Sequence, residues 1–90
     1  MHLDRIIGSP VHLKILKFFH ENQASIDTPR GVATWVDEER AKVKKALEDL
    51  VESGILIAHR ATSITGYSYT NDPKLISKIS RLLEKAPRAQ

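Results

Sequence analysis

TPRGVATWVDEERAKVKKALEDLVESG, residues Thr28 to Gly54, is the stretch whose periodicity decides the fold. Its apolar residues recur as Val32, Ala33 and Val36, then as Val43, Leu47, Leu50 and Val51, a helical spacing broken once near Asp37. The pattern predicts two helices meeting at a sharp turn. Thr28 offers a side-chain oxygen to the orphan N–H groups of a first turn, and Pro29 stands where the first helical residue needs no donor, so the first helix starts there. Asp37 or Glu39 is placed to cap the second. Gly54 is free to take the left-handed conformation that closes it, and Ile55-Leu56-Ile57 then changes period from helix to strand. A helix, a tight turn, a longer helix and a strand follow helix-turn-helix order.

Upstream of this unit, Ser9 before Pro10 is a capped helix start, and Val11, Ile15, Leu16, Phe18 and Phe19 supply an apolar face until Glu21-Asn22 ends it. Residues 1–8 carry Leu3, Ile6 and Ile7, enough for a short packed turn. Downstream, Ile55–Arg60, the polar tip Ala61–Thr65 and Gly66–Thr70 read as a hairpin. Asp72-Pro73 opens a last helix over residues 72–86, and Pro87 ends order. Leu75, Ile76, Ile79, Leu82 and Leu83 fall within ~120° of one another on that helix, with Lys74, Lys78, Arg81 and Lys85 elsewhere. Three helices already supply a core, so the stripe is assigned to a homodimer interface, with Leu3, Ile6 and Ile7 helping.

Taken together these residues resemble bacterial winged-helix regulators of the ArsR and MarR type. Ala33, Val36 and Val43 sit where those proteins carry Leu-Ala-x-x-Leu-Gly-Ile-Ser-x-x-Thr-Val. Leu47-x-x-Leu50-x-x-x-Gly54-Ile55-Leu56 is similar to their Leu-x-x-Leu-x-x-x-Gly-Leu-Val ending. Ile7-Gly8-Ser9-Pro10-Val11-His12-Leu13-Lys14-Ile15-Leu16 is similar to the ArsR-type opening Leu-x-x-Pro-x-Arg-x-x-Ile-Leu. The resemblance covers roughly residues 3 to 83. It implies an α+β, mostly helical fold with a three-helix core, a two-stranded wing and a C-terminal amphipathic helix. The whole of 1–90 forms one domain, with 9–70 as the winged-helix core. It also implies a one- or two-residue strand near Ile26 paired with the wing, Ile26 as a core anchor, and Tyr69 as a core tyrosine.

Composition narrows the function. Ninety residues suffice for one small core but leave no room for a separate effector domain. The chain has no cysteine, which excludes disulfides, thiolate metal sites and thiol redox sensing. No apolar run approaches the ~20 residues of a membrane span, and MHLDRIIG lacks the features of a secretory signal. A cytoplasmic protein is expected. The net charge of +3 permits nucleic-acid binding. Its distribution is less favourable, because residues 37–53 hold four basic against six acidic residues.

The recognition helix, about residues 38–53, is expected in the major groove of double-stranded DNA, with the wing, 60–66, on the backbone or minor groove. With Val43 and Leu47 inward, Lys42, Lys44 and Lys45 project outward. Lys42 and Lys45 match family positions that reach bases or phosphates, with Lys44 flanking them. Arg40 lies nearer the core edge. Arg60, Thr62 and Ser63 are the wing candidates, and Arg30 is a phosphate candidate by position. The competing reading makes this helix a solvated face, with Glu38–Lys42, Lys44–Glu48 and Lys45–Asp49 as i,i+4 pairs. Lys14 and Lys17 read as solvated. Trp35, Tyr67 and Tyr69 resemble a stacking platform for single strands, but core packing suits Trp35 and Tyr69 better, and Tyr67 is expected partly exposed.

None of His2, His12, His20 and His59 forms a helical metal pair, and His12, standing where the resemblance has arginine, is given a structural polar role. No metal and no cofactor are called for, and no catalytic constellation is present in the sequence. Two functions remain. One is a small dimeric transcriptional regulator bound to DNA. The other is a winged-helix module that binds an unidentified protein partner and no DNA, a reading motivated by the acidic helix and the nearly uncharged wing.

Overall fold

The computed structural model describes residues 8–85. Expectations for His2, Leu3, Ile6, Ile7 and Pro87 lie outside them. Ser9 accepts from the His12 N–H and Pro10 occupies the first turn, so α1 runs Pro10–Glu21. A two-residue strand β1, Ile26–Asp27, follows. Thr28 accepts from the Gly31 N–H at 3.2 Å and starts α2, Pro29–Val36. Asp37, in the left-handed region at φ 55°, closes α2 rather than capping the next helix. α3 runs Arg40–Glu52, slightly shorter than expected, and Glu39 precedes it without a side-chain capping bond. Gly54 takes φ 79°, and the Gly54 and Ile55 N–H groups bond back to Val51 and Leu50. β2, Leu56–Arg60, and β3, Thr65–Tyr69, form the wing hairpin. Asp72 Oδ1 accepts from the Lys74 N–H at 3.0 Å at the start of α4, Pro73–Lys85.

The sheet is antiparallel in the order β1-β3-β2. Its register places Leu56 opposite Tyr69 and Ala58 opposite Tyr67 on the inner face. Ser68 sits between Ile26 and Ile57 on the outer one. Gly66 lies close beneath Ile26, so a Cβ there would come within 2.9 Å of Ile26 Cγ2 and the isoleucine side chain would have to shift. The core joins Ile15, Leu16 and Phe19 of α1, Val32 of α2, Val43, Ala46, Leu47 and Leu50 of α3, Ile55, Leu56, both tyrosines and Ile79. Leu13 is buried as well.

Four packing expectations are corrected. Ile26 is no core anchor: the β1 register turns it to the outer face, where it is 64% exposed. Trp35 is 72% exposed, because Val32, Ala33 and Val36 fill the inward side of a two-turn helix and leave the indole on its rim. It stacks on Phe18 with ring centroids 6.2 Å apart. Tyr67 is buried, not partly exposed. Ile79, expected at a dimer interface, is wholly enclosed by its own chain, while Leu75, Ile76, Leu82 and Leu83 are half-buried around it.

Candidate nucleic-acid interface

The inward positions Val43, Ala46, Leu47 and Leu50 fix the rotation of α3 and thereby aim its polar residues. Arg40, Lys44 and Glu48, spaced by four, form the flank toward the wing, while Lys45 and Asp49 form the flank toward the start of α1. Arg40, Lys42, Lys44 and Lys45 are all exposed.

Between α3, the first turn of α2 and the wing lies an open groove of about 600 Å³. Arg30, Arg40, Lys44, Arg60, Thr62 and Ser63 line it, six of the residues singled out from the sequence. Lys42 and Lys45 stand on the same helix outside this lining. The backbone closes the wing tip through Ala61 N–H donating to the Ile64 carbonyl at 3.0 Å, in the turn that carries Thr62 and Ser63 of the groove lining.

One acidic residue sits among these cations. The Arg60 guanidinium grips Glu48 with both terminal nitrogens, at 2.8 and 3.2 Å, and the Tyr67 hydroxyl donates to the same carboxylate. Arg60 holds the Glu48 carboxyl below its usual range, with Tyr67 adding to the effect. Glu48 in turn raises Arg60. Burial, reinforced by Glu48, pushes the Tyr67 phenol up to about 12. Burial alone does the same to Tyr69.

The salt-bridge pattern expected along α3 is therefore only partly present. Lys45 lies 3.6 Å from Asp49. Glu48 turns to Arg60 rather than Lys44, and Glu38 turns to Lys14 of α1 at 2.6 Å rather than to Lys42, so Lys14 is not simply solvated. These choices free Lys42 and Lys44 from the pairs that would have neutralised them. His12 has the structural role assigned to it, with Nδ1 2.7 Å from Ser9 Oγ and Nε2 2.8 Å from Asp49 Oδ2, joining α1 to α3. Among the described residues no group of three or more histidine, aspartate and glutamate side chains could hold a metal ion. No described helix is long and apolar enough to cross a membrane.

The residues missed from the sequence are Glu48 and Tyr67. Glu48 had a local partner in Lys44, and its true partners come from a hairpin register that helical spacing does not encode.

The sequence matches no protein-family model, and no curated protein matches it. Solved structures do resemble it. The AntR antimony-specific transcriptional repressor superposes with a TM-score of 0.68 at 21% identity, covering 93% of this chain and 76% of that one. A mutant of ZitR from Lactococcus lactis in complex with DNA gives 0.60 at 23% identity, covering 81% and 53%. A double mutant of ZitR gives 0.64 at 26% identity, covering 87% and 54%. This chain thus spans about half the length of the ZitR chains, and the likeness establishes a shared winged-helix fold.

Proposed function

We propose that this chain is a transcriptional regulator that binds double-stranded DNA as a homodimer. The observation that carries the proposal is the cationic groove, where side chains from α2, α3 and the wing converge beside an exposed helix. In this reading α3 enters the major groove, Arg40, Lys42, Lys44 and Lys45 supply contacts to bases and phosphates, and Arg30, Thr62 and Ser63 contact the backbone. Arg60 is held by Glu48 in the free protein and belongs to the positioning of the wing. The likeness to a transcriptional repressor and to a protein crystallised with DNA supports the same reading. The homodimer would place two such helices about one DNA turn apart, with Leu75, Ile76, Leu82 and Leu83 of α4 as the subunit contact.

The test is charge reversal on α3. Lys42→Glu with Lys45→Glu, and separately Arg40→Glu with Lys44→Glu, are expected to abolish duplex binding in a mobility-shift assay. All four side chains are exposed, so the melting temperature should hold. Undiminished binding in both pairs would remove α3 from the interface. A second reading, a protein-binding module, draws on the exposed Trp35 indole, stacked on the half-buried Phe18 outside the groove lining.

A further inference from the structure

Glu48 is the one carboxylate on the lining of an otherwise cationic groove. A negative charge facing phosphates is costly to affinity, so its presence calls for a reason. Its surroundings supply one. Both terminal nitrogens of Arg60 and the hydroxyl of the buried Tyr67 converge on this single side chain. Arg60 ends β2 and is paired across the hairpin with Thr65, at the point where the wing leaves the sheet. Tyr67 is on the adjacent strand, with its ring in the core. Glu48 is thus the place where the recognition helix and both strands of the wing are tied together by polar bonds.

We infer that Glu48 is a positioning residue for DNA recognition: it fixes the wing against α3 and withholds the Arg60 charge from the phosphate backbone. This rests on the DNA-binding reading above. Arginine's planar fork matches a carboxylate and a phosphate equally well, so the guanidinium has two competing partners, and the built-in one is already in place. Tyr67 makes the competition uneven, because it can donate to Glu48 but offers Arg60 no acidic alternative, and it anchors the carboxylate to a ring that cannot move without opening the core. Loss of Glu48 therefore does two things. It removes an anion from the groove, and it releases a cation at the wing base to find any phosphate within reach, whatever the sequence.

A double-mutant cycle on the full chain tests this. Binding to a random-sequence duplex is measured across a salt series for the wild type, E48Q, R60Q and the double variant. E48Q is expected to bind more tightly and to steepen the log–log salt dependence by about 0.9 per released arginine, which is about 3-fold more affinity lost between ~50 and ~200 mM salt. R60Q, which leaves the carboxylate in the groove with Tyr67 but without its countercharge, should bind more weakly than the wild type. In the R60Q background the steepening caused by E48Q should vanish. Equal steepening with and without Arg60 would overturn the inference, because Glu48 would then act only as a charge on the helix.

A second readout needs no DNA. Hydrogen exchange of the amides of residues 58–67 should quicken in E48Q while those of α1 hold. Unchanged exchange in the wing would refute the tie itself. Failure of the wild type to bind any duplex would instead refute the DNA-binding reading, and the exchange result would still decide whether the tie exists.

Discussion

The hydroxyl of Tyr67 reaches Glu48 from a ring that is only 1% exposed, and this couples the stability of the fold to the protonation of its site. Burial raises the phenols of Tyr67 and Tyr69 from about 10 to about 12. A folded-state value above the unfolded one means that the stabilisation is complete below pH ~10 and lost as pH climbs toward ~12. Urea midpoints taken at stepped alkaline pH should therefore fall across that window, and Tyr67→Phe should make the fall shallower. Glu48 has the opposite sign: Arg60, then Tyr67, lower its value, so its contribution is present at neutral pH and disappears as pH drops through that lowered value. Trp35 is another case where one residue gives a direct readout. It is the single tryptophan, so an exposed indole should be readily quenched by iodide, whereas strong protection would place a partner over it. Sequence reasoning put Trp35 in the core because helix spacing counts faces and does not reveal how few inward places a two-turn helix has.

At the level of elements, much was legible because the signals are local. Ser9-Pro10, Thr28-Pro29 and Asp72-Pro73 each begin a helix in the structure, and Gly54 ends one in the left-handed conformation. Gly54→Ala meets no steric neighbour, so only backbone strain is added, and the cost should be about 1 kcal/mol in equilibrium unfolding. A neutral result would mean that this turn relaxes to another conformation. Tertiary choices were not legible. Glu38 and Glu48 each had an i,i+4 lysine in reach, yet both bond across elements, to Lys14 and to Arg60. Helix spacing states which pairs are possible, and packing selects among them. Of the positions singled out in the sequence, Arg30, Arg40, Lys44, Arg60, Thr62 and Ser63 share one groove, while Lys42 and Lys45 stand outside its lining. Glu48 was read as the partner of Lys44, and its place in that lining, bound to Arg60 and Tyr67, was not legible.

For the whole molecule, the last helix joins the interior to the proposed subunit contact. Ile79 belongs to the core of its own chain, so Ile79→Ser should cost about 3 kcal/mol or more and lower the melting temperature of the subunit itself. Leu82→Ser with Leu83→Ser should act mainly on assembly, seen as a halved molecular mass in sedimentation at micromolar concentration. An unchanged mass would retire α4 as the contact. The net charge of +3 is modest, so affinity for a polyanion depends on where the charges sit. Pairing within α3 and toward its neighbours removes three acidic side chains from competition, Glu38 by Lys14, Glu48 by Arg60 and Asp49 by His12 and Lys45. The stretch 37–53 is acidic in sum, but Asp37, Glu38 and Glu39 precede the helix, and α3 itself, with four basic and three acidic residues, presents a cationic flank. The most direct measurement is fluorescence anisotropy of a labelled random-sequence duplex titrated with the purified chain at ~50 and ~200 mM salt. Binding that weakens by orders of magnitude between the two is the expected result. No binding at the lower salt, or binding indifferent to salt, would contradict a DNA-binding function.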